Sequence, residues 1–313
     1  MARSAVIAVV MALLLFSGCG TGRNAIGVVG AGEFAGNARS ERMKMRLDEY
    51  VADKDARIGI AVIIDGQDTV EVNGRRDFPM LSVYKFPQAI AVADYCRRHG
   101  MAFSDSVLIE SAEIKENTWS PMREKYGIRE MALTIRELLE FSLQQSDNNA
   151  CDILFRLIGG VEKADSVMES LGFDGIEIGS TEDEMHRDIY LCYQNRATPI
   201  MIAGLLERFD TEMRHESPEL EEIAHIMENC ATGGDRLAAP LASTGAMIGH
   251  KTGTGDINSQ NRIIGINDAG WVRLPDGRRY VAAVFIADSA YDMKRTSEMI
   301  AEMSSIIYST ITE

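Results

Sequence analysis

The sequence predicts an α+β fold of the α/β-sandwich type: an antiparallel sheet flanked by helices, plus an all-helical half set between the sheet's two portions. Three observations lead there. Strand-type runs lie near both ends, at 57–72 and 247–287, while the chain between reads as helix and loop. Asp65-Gly66 and Asp276-Gly277 are hairpin turns, which make the strands they join antiparallel. An amphipathic stretch, 291–311, closes the chain, and strands at both ends with helices between suggest a split α/β half.

The elements follow in order. Met43, Met45, Leu47, Tyr50 and Val51 have helical spacing, so a helix is expected over Arg39–Ala52. Arg57–Ile64 is almost continuously apolar and reads as a strand, and Thr69–Val72 returns as a second. A helix follows the stretch around Ser82. Thr134 caps another, with Glu137 three residues on as a capping box. Helices are expected at 152–157, at 161–171 (stopped by Gly172), at 199–209 and at 218–228. Between them, 175–197 reads as a long irregular loop, and a loop that long in a compact domain is usually functional. Four strands then follow, at 247–252, 263–267, 271–274 and 279–287.

The 313 residues are 46% hydrophobic and 25% charged, ordinary for a globular chain. A net charge of -15 argues against nucleic acid or an anionic membrane surface as the main partner. Cys96, Cys151, Cys192 and Cys230 allow three disulfide pairings or none, and free buried thiols are expected. Their spacing matches no zinc pattern, so no metal and no cofactor are expected.

The N-terminus reads as a processing signal. Arg3 precedes an apolar run from Ala5 to Phe16, too short to span a bilayer comfortably. Phe16-Ser17-Gly18-Cys19 then resembles a bacterial lipobox, whose cysteine becomes a lipidated first residue. An ordinary secretory signal or an uncleaved anchor are the alternatives. The expected division is a signal peptide over 1–18, a tether over 19–37 and a catalytic domain over 38–313. Within that domain the α/β half takes about 38–75 and 240–313, and the helical half about 76–239.

Chemistry concentrates in four stretches. Ser82-Val83-Tyr84-Lys85 puts a hydroxyl and an amine three residues apart on one helical face, at a helix start whose free N–H groups suit an oxyanion. Alone this signal is weak, since Ser-x-x-Lys occurs about once by chance in a chain this long. Ser146-Asp147-Asn148 offers a second hydroxyl and an amide, although such residues also serve as loop and N-cap. Lys251-Thr252-Gly253 puts a cation and a hydroxyl on a strand, with a glycine leaving room for substrate backbone; its bland reading is a protected edge strand. Each tripeptide occurs by chance in only about a few per cent of such chains, and the joint order is far rarer. The fourth stretch is the acidic loop Ser180-Thr181-Glu182-Asp183-Glu184-Met185-His186.

This set resembles the serine β-lactamase and penicillin-binding protein superfamily, over nearly everything from residue 38 on. Within it the chain looks like a class A β-lactamase, because Ser82 and Ser146 are close in sequence and a glutamate precedes the helix at Pro199. The pattern Glu182-x-x-x-His186, followed by Tyr193-Gln194-Asn195, resembles a divergent extended-spectrum subgroup; Glu184 is the rival glutamate. The resemblance implies a β-lactam hydrolase that confers resistance, acting on penicillins and especially cephalosporins as an exported, periplasmic monomer.

It also implies roles. Ser82 is the nucleophile, Lys85 or Glu182 the acylation base, Ser146 the proton relay and Glu182 the activator of the deacylating water, oriented by His186. Asn148, Lys251, Thr252, Gly253, Thr254 and Arg236 would hold substrate, the backbone N–H groups of Ser82 and Thr254 would form the oxyanion hole, and Trp119 would flank the cleft. A crowd of cations would depress a lysine enough to act as a base. Two departures stand out. The commoner loop carries asparagine where this chain has His186, and the usual Arg–Asp pair closing the loop is replaced by Ser180 and Asn195. The loop must then be held differently. The alternatives in other functional classes are a peptidoglycan DD-peptidase and a non-hydrolysing β-lactam sensor.

Overall fold

A computed structural model describes residues 31–313, with side chains from 38 onward. The signal segment and Cys19 lie outside the described residues. The first helix, α1 (Ala31–Val51), starts at Ala31 rather than Arg39, so 31–37 of the stretch expected as a tether are helical. Met43 and Leu47, one turn apart on α1, are buried against the sheet.

β1 (Arg57–Ile64) and β2 (Asp68–Val72) form the first hairpin. Asp65 and Gly66 have φ of 50° and 71°, the left-handed pair that a tight hairpin requires. A two-residue strand, β3 (Phe78–Pro79), leads into a 3-10 turn, Leu81–Tyr84, and then α2 (Lys85–His99). Next come β4 (Ser106–Ile109), α3 (Pro121–Tyr126), β5 (Met131–Thr134), α4 (Ile135–Gln144), α5 (Asn148–Ile158) and α6 (Val161–Ser170). The capping box on α4 forms as expected: Glu137 N–H donates to Thr134 Oγ1 at 3.1 Å and Thr134 N–H to Glu137 Oε2 at 2.8 Å.

The expected irregular loop is instead built from short pieces: β6 (Ile176–Glu177), α7 (Glu182–Arg187), a 3-10 segment, Ile189–Gln194, and β7 (Arg196–Ala197). α8 (Pro199–Thr211) and α9 (Pro218–Glu228) complete the helical part. The chain then makes β8 (Met247–Thr254), β9 (Ile263–Arg273), β10 (Arg279–Ser289) and α10 (Met293–Thr312).

Two expected strands, 263–267 and 271–274, are thus one. The intervening Asp268 stays in the strand because His250 on β8 and the Leu237 N–H satisfy its buried carboxylate. The antiparallel β4–β5 pair was not expected either, since its four-residue strands alternate between buried and exposed and give too short a period-two signal.

The main sheet is antiparallel with order β2-β1-β10-β9-β8. Ile60, Val62 and Ile64 face α1 and α10, joining Met299, Met303 and Ile307. Ala61, Ala283, Phe285 and Trp271 face the helical part, joining Phe78 and Phe209. Burial on both faces explains why β1 and β10 read as near-continuous apolar runs. It also leaves β8 as the edge strand beside the 3-10 turn that carries Ser82.

Candidate active site

β8 and the Ser82 turn are pressed together by an absence of side chain. A Cβ on Gly253 would lie 2.7 Å from Met80 O, 2.9 Å from Leu81 Cβ and 3.2 Å from Ser82 N, so only glycine lets the edge strand approach the nucleophile this closely. Leu81, just before Ser82, has φ of 50°, and Ser146 has φ of 59°. Left-handed backbone costs a non-glycine residue about 1–2 kcal/mol, and here it occurs beside two hydroxyls facing one cleft.

That cleft, of about 590 Å³, is lined by Ser82, Ser146, Asn148, Glu182, His186, Arg236, Thr252 and Thr254 among others. Lys85 and Lys251 are fully buried in its floor. The four stretches singled out in the sequence therefore meet. Trp119 sits on the rim, 57% exposed, with its indole N–H donating to Gln145 O at 2.8 Å.

Lys85 Nζ lies 3.0 Å from Glu182 Oε1 and donates to Asn148 Oδ1 at 2.7 Å and Ser146 O at 2.9 Å. Burial alone would push this ammonium down, but the adjacent Glu182 charge outweighs it and the net shift is upward. Lys251 Nζ donates to Ser146 Oγ at 2.9 Å and to Thr252 O at 2.9 Å. Burial and the Lys85 charge bring Lys251 down to about 7. The cation crowding expected to depress a lysine thus falls on Lys251, because Glu182 stands beside Lys85 and not beside Lys251.

Asp147 is structural. Its buried carboxylate accepts the Ala150 N–H at the start of α5, the Met122 N–H and the Ser120 hydroxyl, fastening the 115–122 segment beside the site. Asn148 Nδ2 donates to Thr118 Oγ1 at 2.8 Å, which fixes its amide with Oδ1 toward Lys85. Arg236, 8% exposed, donates to Gly253 O, Asn267 O and Thr254 Oγ1, the last at 2.7 Å. Gly255 N–H donates to Gly265 O across the ladder at 2.9 Å. N–H direction alternates along a strand, so the Thr254 N–H is turned to the free edge.

The two glutamates of the loop stand in different places. Glu182 Oε1 also accepts the Tyr84 hydroxyl at 2.9 Å, inside the cleft. Glu184 folds back onto Thr181 as a capping box, its Oε2 2.9 Å from the Thr181 N–H, and does not line the cleft. His186 lines the cleft and is exposed. Asp152, which the sequence reading passed over, holds α7 in place: Oδ1 accepts the Glu182 N–H and Oδ2 the Asp183 N–H, each at 2.8 Å. Its one sequence signal was a carboxylate interrupting the apolar run of α5. Ser180 and Asn195, both buried, close the loop through an amide clasp in place of charges.

Residues 42–311 match the model of the β-lactamase enzyme family. A β-lactamase of Bacteroides uniformis is 35% identical over 267 residues, covering 85% of this chain and 90% of that protein. The extended-spectrum β-lactamase PER-1 of Pseudomonas aeruginosa is 31% identical over 284 residues, covering 90% of this chain and 91% of that one. The crystal structure of a class A β-lactamase representative from Bacteroides cellulosilyticus superposes with a TM-score of 0.83 at 32% identity, over 87% of this chain and 98% of that one. With the match spanning nearly the whole described chain, this protein belongs to the β-lactamase enzyme family, among its class A serine enzymes.

Proposed function

We propose that this β-lactam hydrolase works through a Ser82 acyl-enzyme that is cleared by a water primed on Glu182. The observation that carries the reading is the position of the Glu182 carboxylate, on the same cleft as Ser82 and 3.0 Å from Lys85 Nζ. Ser82 Oγ attacks the lactam carbonyl while the N–H groups of Ser82 and Thr254 receive the oxyanion, each such donor being worth about 3–4 kcal/mol in the transition state. The Ser82 proton passes through water to Glu182, since the neighbouring carboxylate keeps Lys85 an ammonium at rest.

Ser146 accepts a hydrogen bond from Lys251, which leaves its own O–H free to protonate the lactam nitrogen as the C–N bond breaks. Thr252, Thr254 and Arg236 hold the substrate carboxylate, with Gly253 supplying the open strand edge, and Asn148 meets the acylamino side chain. Glu182 then draws a proton from the deacylating water, positioned by His186, and the ester is hydrolysed. Penicillins and especially cephalosporins are the substrates. The uncharged loop clasp supports room for bulky side chains, and so does the likeness to PER-1, named an extended-spectrum enzyme. Repeated turnover of a chromogenic cephalosporin by the purified protein is the test. A single stoichiometric burst would make it a trapping, DD-peptidase-like protein instead.

We further propose that residues 1–18 are a lipoprotein signal, that Cys19 carries the lipid, and that the start of the chain tethers a periplasmic monomer to a membrane. Labelled palmitate should enter the wild-type chain and be absent from Cys19→Ala.

A further inference from the structure

Beneath the cleft floor a short chain of polar side chains ends on the Glu182 carboxylate. It starts at Gln88 on α2, whose Nε2 donates to Cys151 O at 2.9 Å. That bond fixes the amide and turns Gln88 Oε1 to the Cys151 thiol, which donates to it at 3.3 Å. Cys151 Sγ lies 3.4 Å from the Tyr84 hydroxyl oxygen, and that hydroxyl donates to Glu182 Oε1 at 2.9 Å. Gln88, Cys151 and Tyr84 are fully buried.

The chain has one direction. Gln88 Oε1 only accepts, so the thiol proton points to it. A carboxylate oxygen at 2.9 Å is a stronger acceptor than a sulfur at 3.4 Å, so the Tyr84 proton points to Glu182. Burial, and after it the neighbouring acidic groups Cys151, Glu182 and Asp152, hold the phenol well above its ordinary range, so it stays a donor. Phe155, one turn along α5 from Cys151, stacks on the Tyr84 ring with centroids 5.9 Å apart, which fixes where the hydroxyl sits.

Both bonds to the carboxylate fall on one oxygen. Lys85 Nζ is 3.0 Å from Glu182 Oε1, the atom that also accepts from Tyr84. Among the described residues no side chain donates to Oε2, so Oε2 is the oxygen left for water. The other acceptors of Lys85 are neutral: Asn148 Oδ1 and the Ser146 and Asp147 carbonyls. Asp152 on α5 holds the Glu182 N–H, and Lys251 on β8 is bonded to Ser146.

We propose that Tyr84 is a positioning residue for the hydrolytic reaction: its hydroxyl holds the proton of the Lys85–Glu182 pair on the lysine and keeps Oε2 of an ionised Glu182 turned to the deacylating water. The proposal rests on the reading of Glu182 as the base that primes that water. A hydrogen bond to the charged form of an acid favours that form. Without the hydroxyl, the proton moves from Lys85 Nζ to Glu182 Oε1. Neutral Lys85 then takes the Ser82 proton, so acylation continues. A protonated Glu182 accepts no proton from water, so the ester persists. Acylation has a second base to fall back on and deacylation has none, so the loss falls on the second half of the reaction.

The test is Tyr84→Phe, which removes one buried oxygen and leaves its partners bonded: Glu182 keeps Lys85, and the Cys151 thiol keeps Gln88. Clearance of the Ser82 adduct of a chromogenic cephalosporin, read by intact mass, is expected to slow about 10–100-fold, the scale of one hydrogen bond to a charged group. kcat and KM should fall together, leaving kcat/KM within about threefold of wild type. A partly unfolded variant behaves otherwise, since a smaller active fraction lowers kcat at unchanged KM. Adduct clearance at the wild-type rate, or a fall in kcat with KM unchanged, overturns the proposal. A double-mutant comparison removes any effect on folding: in a Glu182→Gln background, Tyr84→Phe should change adduct clearance by less than about twofold, and a full additive loss there overturns the role. Wild-type protein that gives only one stoichiometric burst removes the hydrolase reading itself, before any variant is compared. A wild type that turns over beside an unaltered Tyr84→Phe removes this inference alone.

Discussion

Asn195 grips Ser180 from both sides of its amide: Oδ1 accepts the Ser180 N–H at 2.9 Å, and Nδ2 donates to the Ser180 carbonyl at 2.9 Å. Oδ1 also accepts the Gly179 N–H, and the Asn195 carbonyl takes the Met80 N–H at 2.7 Å. This uncharged clasp connects the Glu182 segment to the strand that leads into Ser82. Being buried and fully paired, it loses little to desolvation, whereas a buried ion pair at the same place would lose much more.

Removing the clasp should loosen the segment. Asn195→Ala leaves two N–H groups and one carbonyl without their partner, which costs about 2–4 kcal/mol of stability. Asn195→Asp replaces the donor to Ser180 O with an acceptor and should cost at least as much. Thermal unfolding reads the stability, and kcat should fall with it as Glu182 loses its fixed position. Unchanged unfolding in both variants would contradict the assignment.

The two glutamates of the loop should separate cleanly. Glu182→Gln removes the base that primes water and also the charge that keeps Lys85 protonated, so a neutral Lys85 can take the Ser82 proton while deacylation stalls; kcat should fall by at least about a thousandfold, with a covalent adduct on Ser82 visible by intact mass. Glu184→Gln should keep turnover and lose only about 0.5–1 kcal/mol through its weakened capping box. An adduct that accumulates with Glu184→Gln instead would reverse the choice.

Arg236 should act on substrate binding through Thr254. Arg236→Ala is expected to raise KM more than it lowers kcat, reducing kcat/KM by about 10–100-fold, with Arg236→Lys intermediate because it keeps the charge but not the planar fork. A methyl ester of the substrate carboxylate tests this directly. The wild type should favour the free acid strongly, and Arg236→Ala should lose most of that preference.

Asp152 makes stability depend on pH. Burial raises its carboxyl, the Glu182 charge adds to this, and the Glu182 and Asp183 N–H groups only partly oppose them, giving about 7 in the fold against 3.8 ordinarily. The folded state therefore holds this proton more tightly than the unfolded chain. The resulting stability is fully present below about pH 3.8 and is lost as pH rises through about 7. Relative to Asp152→Asn, the wild type should lose stability across that window and no further above it. A difference between the two that stays flat with pH would rule this out.

Much of the fold was legible because its signals are local. The Asp65-Gly66 turn, the Thr134–Glu137 box and the apolar run of Arg57–Ile64 each depend on residues within a few positions of one another, and each forms where the sequence puts it. The candidate site was legible through short tripeptides whose residue types match one chemistry. The antiparallel β4–β5 pair was not, since four-residue strands carry too little period to register.

By itself, the sequence determined the local elements, the family resemblance and the small set of hydroxyls, lysines and glutamates able to do the chemistry. Tertiary structure alone decided where each of them stands and what it is bonded to. It turned Glu182 toward Lys85 and left Glu184 to cap a helix, kept Asp268 inside a strand with its carboxylate bonded to His250, placed the depressed lysine at 251, and closed the loop through Asn195. The reason is that protonation and buried polar pairing depend on charges and donors a few ångströms away in space. In this chain many of those partners are distant in sequence, and no local pattern encodes them.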